Sequence, residues 1–235
     1  MSVNEVETRP LAMVTGASRG IGQAIATELS TDHDVLLGGR DRDALSRTVA
    51  GCGGRAWPVD LTDHQALRAA TRDIHRLDVL VHNAAVWSAG PVADTATNAW
   101  REMFEVNLFA VVELTRLLLP ALRVAHGHVV LINSTVNAST STGQGAYAAS
   151  KSALHAFGDV LRSEEQQHGL RVTSIQLGRT DTDLQRAVRA AETGPYEPHR
   201  YLQTADVADV IRAIISAPTT APIFDLVVRP PMPAT

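Results

Sequence analysis

The chain has 235 residues, 45% of them hydrophobic, and a formal net charge of −4. That length suits one large α/β unit spanning residues 1–235, and the near-neutral balance excludes the strongly basic surface of a nucleic-acid binder. No apolar run approaches the roughly 20 residues that cross a bilayer, Met1–Pro10 lacks the apolar stretch of a secretory leader, and the single cysteine, Cys52, excludes an intrachain disulfide; a cytoplasmic protein is expected.

Residues 1–9 are polar and expected to be flexible. The first expected strand, Leu11–Thr15, runs into Thr15-Gly16-Ala17-Ser18-Arg19-Gly20-Ile21-Gly22 and a helix over Ile21–Leu29. Three glycines between a strand and a helix let the backbone turn tightly beside a phosphate, which the free N–H groups of the helix start can bind. The spacing G-x-x-x-G-x-G differs from the commoner dinucleotide fingerprint. A second strand, Asp34–Gly39, ends at Arg40, where an NAD site usually carries an acid for the ribose 2′-hydroxyl. Two guanidinium groups, Arg19 and Arg40, are instead placed to clamp a 2′-phosphate, so NADP(H) is the expected cofactor.

A helix over Arg42–Val49 leads to a third strand, Arg55–Val59, followed by Asp60-Leu61. Asp60 either accepts from an adenine amino group or opens the next helix, Asp63–Ile74. The fourth strand, Asp78–His82, ends in Asn83-Ala84-Ala85, small enough for a ribose to lie against the backbone, with Trp87 just beyond, either lining a pocket or in the core. In the next helix, Ala99–Arg123, Asn107 shares a face with Phe104, Val111 and Leu114. A buried amide needs partners, so a backbone group, a water chain or both are expected there.

The fifth strand, His128–Asn133, delivers Ser134 to a carboxyl end, with Thr135, Ser139 and Ser141 as competitors that spacing does not separate. Tyr147 and Lys151 then lie four apart at the start of a helix over Ala146–Gln167 and point the same way. Lys151 is the only lysine among 21 basic residues. A cation beside a phenol lowers its pKa from near 10, which makes the pair an acid/base couple. A sixth strand, Arg171–Leu177, precedes Gly178-Arg179-Thr180-Asp181-Thr182. The segment Leu184–Gln203, carrying Arg186, Arg189, Tyr196, His199 and Arg200, is expected to form a lid whose cations suit an acidic substrate or simply face solvent. A helix over Ala205–Ser216 and a strand over Phe224–Val228 close the chain. The strand–helix alternation predicts a Rossmann-type doubly wound parallel sheet of about seven strands with helices on both faces and ligands at the strands' carboxyl ends.

Taken together, these motifs resemble the short-chain dehydrogenase/reductase family, in the family's order from Leu11 to about Asp183. The resemblance separates Ser134 from its neighbours, because the family places its serine 13 positions before the tyrosine. It implies a tetrad of Asn107, Ser134, Tyr147 and Lys151. Tyr147 would exchange the proton with the carbonyl oxygen and Ser134 would steady that oxygen. Lys151 would bind the nicotinamide ribose, and Asn107 would hold a relay water. It further implies cofactor contacts from Gly16, Ser18, Arg19, Gly20, Ile21, Gly22, Arg40, Asp60, Leu61, Asn83, Ala84, Ala85, Gly178, Thr180 and Thr182, with no metal. The implied activity is an NADP(H)-dependent carbonyl reductase on small aldehydes, ketones or alcohols, assembled as a homodimer or homotetramer. A catalytically silent NADP-sensing protein and an NAD-dependent secondary-alcohol dehydrogenase are the alternatives. The family's Pro-Gly after the sixth strand is Leu177-Gly178 here, so that loop is expected to sit differently.

Overall fold

A computed structural model describes residues 9–137 and 142–231. Among them, seven strands form one parallel sheet: Leu11–Val14 (β1), Asp34–Gly39 (β2), Arg55–Pro58 (β3), Val79–His82 (β4), His128–Ser134 (β5), Arg171–Leu177 (β6) and Asp225–Val228 (β7). Their order is β3-β2-β1-β4-β5-β6-β7. The helices are Gly20–Leu29 (α1), Arg42–Cys52 (α2), His64–Thr71 (α3), Thr97–Phe104 (α4), Ala110–Ala125 (α5), Gly145–Glu165 (α6), Asp183–Ala191 (α7) and Thr204–Ile215 (α8). No helix among the described residues is long and apolar enough to cross a membrane.

The side-chain period of two sorts each inner strand between two cores. Ala12, Val14, Val35, Leu37, Val81 and Ile175 pack against Ile25 and Leu29 of α1, Leu45 of α2, and Val207, Ile211 and Ile214 of α8. Met13, Leu36, Leu80, Val129 and Leu131 face the other way, onto Leu67 of α3, Val111, Leu114 and Leu118 of α5, and Leu154 and Leu161 of α6. Burial on both faces is why these strands read as unbroken apolar runs.

The chain reverses direction across the sheet between β1 and β4, which opens a crevice beyond their carboxyl ends. Three elements differ from expectation. The helix predicted over Ala99–Arg123 is two α-helices joined by a π-helical turn, Glu105–Phe109, with Asn107 at its centre. The helix predicted to begin at Asp63 begins at His64, because the Asp63 carboxylate accepts from the backbone N–H groups of Gln65 and Ala66 as its N-cap. Inside the expected lid stands a regular helix, α7, capped by Thr182, whose hydroxyl accepts from Gln185 N at 3.2 Å. Thr182-x-x-Gln185 has the capping-box pattern, a legible signal for that helix.

Candidate active site

A cleft of 940 Å³ runs along the carboxyl ends of the strands. Its floor is the glycine turn. Gly16 (φ 65°) and Gly20 (φ 57°) hold left-handed backbone, and a Cβ on Gly22 would stand 2.3 Å from the Gly16 carbonyl oxygen. Helix α1 therefore packs against the turn with no room for a side chain. Its N-cap, Arg19, is extended and makes no side-chain cap, which leaves the first-turn N–H groups directed at the cleft. Ser18, Arg19, Gly20 and Ile21 line it. Asn83 braces the turn: its amide donates to the carbonyls of Thr15 and Gly16 at 3.0 and 3.2 Å. The buried Thr15 hydroxyl accepts from the backbone of Asn83 and Ala84 and donates to Val81. Thr15 thus ties β1 to β4, a role its place at a strand end did not reveal.

At the far end of the cleft stand Arg40, Asp60 and Leu61. The two readings of Asp60 are resolved against the helix start, since Asp63 supplies that cap. Asp60 instead closes a turn, accepting from Thr62 N at 3.0 Å and from its hydroxyl at 2.8 Å, and these bonds, chiefly the backbone one, lower its pKa. Its other oxygen lies 3.8 Å from Arg40, and Arg19 lies 3.5 Å from Asp183 at the start of α7. Arg19, Arg40 and Asp183 are largely exposed and Asp60 partly so, and both pairs are weak and exchangeable.

Ser134, Tyr147 and Lys151 share the cleft's other arm. Strand β5 carries Ser134 at its last position, and its hydroxyl accepts from Val136 N and is hydrogen-bonded to the Tyr147 phenol. Among the serine's competitors, Thr135 also lines the cleft, and Ser139 and Ser141 lie outside the described residues. Lys151 is buried, its ammonium 6.0 Å from the Tyr147 ring centre and donating to the Ile132 carbonyl at 2.8 Å. Burial pulls the Lys151 pKa down to about 8. Burial also pushes the Tyr147 phenol up to about 12, opposed by the Ser134 hydrogen bond. The phenol is therefore raised in this geometry and not lowered as expected, because removal from water dominates.

Asn107 is fully buried. Its Oδ1 accepts from Val86 N at 2.9 Å, and its Nδ2 donates to Val86 O and to Ser150 Oγ, both at 3.0 Å. Both amide hydrogens and one oxygen lone pair are thus committed to the loop after β4 and to α6. Val86 and Ser150 were not legible as partners, because only the fold brings them to Asn107.

The roof begins at Gly178. Leu177 keeps register between Ser134 and Val228, and Gly178 N donates to Val228 O at 2.7 Å. The backbone that proline would constrain is thus an ordinary strand end. Thr180, Thr182 and α7 follow along the cleft. The lid's cations are largely matched by acids in or just before the lid. Arg186 lies 3.2 Å from Asp181 and 4.3 Å from the Tyr196 ring centre, and Tyr196 donates to Asp181 at 2.5 Å. Glu192 holds both Arg179 and Arg189, and Arg200 pairs with Glu197. His199 is exposed.

A model of the short chain dehydrogenase family matches residues 10–193. A glycine betaine reductase of Emericella nidulans is 32% identical over 94% of this chain, which spans only 18% of that protein's length. An uncharacterised oxidoreductase of Staphylococcus aureus is 28% identical over 96% of this chain and 99% of its own. Among solved structures, a metagenomic short-chain oxidoreductase in complex with NADP is 30% identical, covers 96% of this chain and 99% of its own, and superposes with a TM-score of 0.80. An alcohol dehydrogenase from Thermococcus sibiricus, complexed with 5-hydroxy-NADP, shares the fold at 24% identity, with the same coverage and a TM-score of 0.83.

Proposed function

The chain belongs to the short chain dehydrogenase family and is an oxidoreductase of it, and from that premise we propose an NADP(H)-dependent carbonyl reductase. The observation that carries this reading is the placement of Ser134, Tyr147 and Lys151 in the same cleft as the uncapped N-terminus of α1. The residues fit a dinucleotide: the Gly16 and Gly22 cradle excludes a Cβ, and the free N–H groups at the start of α1 would face a pyrophosphate. Gly16, Ser18, Gly20, Ile21 and Gly22 would hold the pyrophosphate end, and Asn83, Ala84 and Ala85 the adenosine-side ribose. Leu61 and Asp60 would meet the adenine, and Gly178, Thr180 and Thr182 the nicotinamide end. Arg19 and Arg40 would exchange Asp183 and Asp60 for a 2′-phosphate. When bound, the cofactor supplies the hydride.

The protein's own part is the proton and the placement. Tyr147, protonated near neutrality, donates to a carbonyl oxygen as charge develops there. Ser134 donates a second hydrogen bond to that oxygen. Lys151 holds the ribose and, titrating near 8, restores the proton to Tyr147. Asn107 positions both walls through Val86 and Ser150. The segment 184–203 acts as the lid, and a homodimer or homotetramer forms through α5 and α6, which expose Val124 and Val160.

Fluorescence titration with NADPH and NADH, followed by NADPH oxidation against a panel of carbonyls, tests this reading. NADPH is expected to bind at least about tenfold more tightly, with the preference erased in Arg40→Ala. Tyr147→Phe is expected to keep cofactor binding and lose about 10²–10⁴ in turnover. Preference for NADH, or binding without turnover of any carbonyl, overturns it.

A further inference from the structure

Thr180, Asp181 and Thr182, in the loop after β6, all line the cleft. Thr182 stands over the phosphate turn: its Cγ2 lies 3.5 Å from where a Cβ on Gly20 would be. Thr180 is buried, and its hydroxyl donates to Gly178 O at 3.1 Å. Between the two threonines, Asp181 Oδ1 accepts from the Tyr196 phenol at 2.5 Å and from Arg186 at 3.2 Å. The Arg186 guanidinium also lies 4.3 Å from the Tyr196 ring centre, which closes a three-membered knot. Tyr196 itself is half-buried and is absent from the described residues that line the cleft.

Two features distinguish this knot from an ordinary surface ion pair. The first is that the backbone already brings its halves together. Asp181 N donates to Leu202 O at 2.8 Å and Leu202 N to Arg179 O at 3.0 Å, and Leu202 belongs to the core that α1 and α8 cover. The Tyr196 ring lies 4.9 Å from that of the buried Tyr201, so the phenol is carried by a strap that is itself fixed. The second is charge. A carboxylate in the wall of a cleft for an anionic dinucleotide repels its phosphates unless that charge is taken up. Tyr196 and Arg186 take it up at one oxygen. Burial, and then the Asp181 carboxylate, pushes the Tyr196 phenol up to about 12, so it stays a donor at neutral pH.

We propose that Tyr196 is a positioning residue: through Asp181 it fixes Thr180 and Thr182 for the nicotinamide half of the cofactor, whereas the adenosine half binds without it. This rests on the NADP(H) reading above. With the phenol's hydroxyl removed, Asp181 loses its shortest bond, and the threonines on either side of it become ordered only on binding, which weakens that binding.

The test compares NADPH with 2′,5′-adenosine diphosphate, which carries the adenosine half alone, in the wild type, Tyr196→Phe, Asp181→Ala and the double variant. Tyr196→Phe keeps the ring, and it is expected to weaken NADPH about three- to tenfold while 2′,5′-adenosine diphosphate stays within about twofold of wild type. A merely structural role would weaken both ligands alike. Because Tyr196 acts through Asp181, adding Tyr196→Phe to Asp181→Ala is expected to change NADPH binding no further. Equal losses on both ligands, unchanged NADPH binding in Tyr196→Phe, or additive losses in the double variant overturn the proposal. The wild type separates this proposal from the reading beneath it. Tighter binding of NADH than of NADPH overturns the NADP(H) reading alone, and NADH against adenosine 5′-diphosphate then decides the role of Tyr196 by the same comparison. No binding of either dinucleotide overturns both.

Discussion

A methyl group on Gly22 would stand 2.3 Å from the Gly16 carbonyl oxygen and 2.5 Å from Asn83 Nδ2. Neither neighbour is free to move, since the Asn83 amide is bonded to the carbonyls of Thr15 and Gly16. Gly22→Ala should therefore spread the turn, cost about 1–3 kcal/mol in urea unfolding, and abolish nicotinamide-dinucleotide binding. Gly51, in the last turn of α2, has nothing within 4 Å of its virtual Cβ. Gly51→Ala should leave binding untouched and stabilise by about 0.5–1 kcal/mol. Similar effects from the two substitutions would refute the claim that packing rather than glycine's freedom governs position 22.

Among the elements, the π-helical turn at Glu105–Phe109 does what a regular helix does not. The extra residue per turn sits where the Asn107 side chain reaches out to pair both backbone groups of Val86 and the Ser150 hydroxyl. Asn107→Ala would strand an N–H and a carbonyl in the interior, for an expected loss of about 2–4 kcal/mol. Turnover should fall more than NADPH binding does, because Val86 and Ser150 lie beside the catalytic arm and not the phosphate turn. A stability measurement within error of wild type would show that the turn holds itself without its amide. Helix α7 is the opposite case: its short apolar pattern is interrupted by polar residues, and its cap sits in a loop read as family signature. Its one legible signal is the Thr182-x-x-Gln185 pattern, which the structure shows in use as Thr182 accepts from Gln185 N.

At the scale of the molecule, two buried histidines lie on the central strands. His82 is hydrogen-bonded to Thr115 Oγ1 at 2.9 Å and His128 to Thr173 Oγ1 at 2.8 Å. Thr173 spends its hydrogen on Ile223 O, so His128 Nε2 is the donor of its pair, and its Nδ1 is a buried acceptor without a partner among the described residues. Burial first, then the charges of Lys151 and Arg171 respectively, lowers both pKa values from 6.5 to about 3. A folded pKa below the unfolded one stabilises at pH above 6.5, and that stability is lost as pH falls from 6.5 towards 3. The loss is about 1.4 kcal/mol per pH unit per histidine, enough to threaten a fold of ordinary stability near pH 4–5. Urea unfolding across pH 7 to 4.5 should show this slope, and His128→Asn should reduce it by about half even if it is less stable at pH 7. An unchanged slope would mean that other groups govern the acid limit.

Much of this protein is local and therefore legible in order along the chain. Strands buried on both faces must be apolar throughout, a turn beside a phosphate needs glycine, and a phenol and an amine four residues apart share a helix face. Those constraints act within a few residues, and they locate the glycine turn, Tyr147, Lys151 and seven of the eight helices, with α4 and α5 expected as one, whereas only the family resemblance separates Ser134 from its neighbours. What the tertiary structure decided involves partners far apart in sequence. It set Asn107 against Val86 and Ser150, gave Asp60 to Arg40, and matched the lid's cations with nearby acids. It also set the Tyr147 pKa, since desolvation depends on everything packed around a group, whereas spacing along a helix reports only its nearest neighbours.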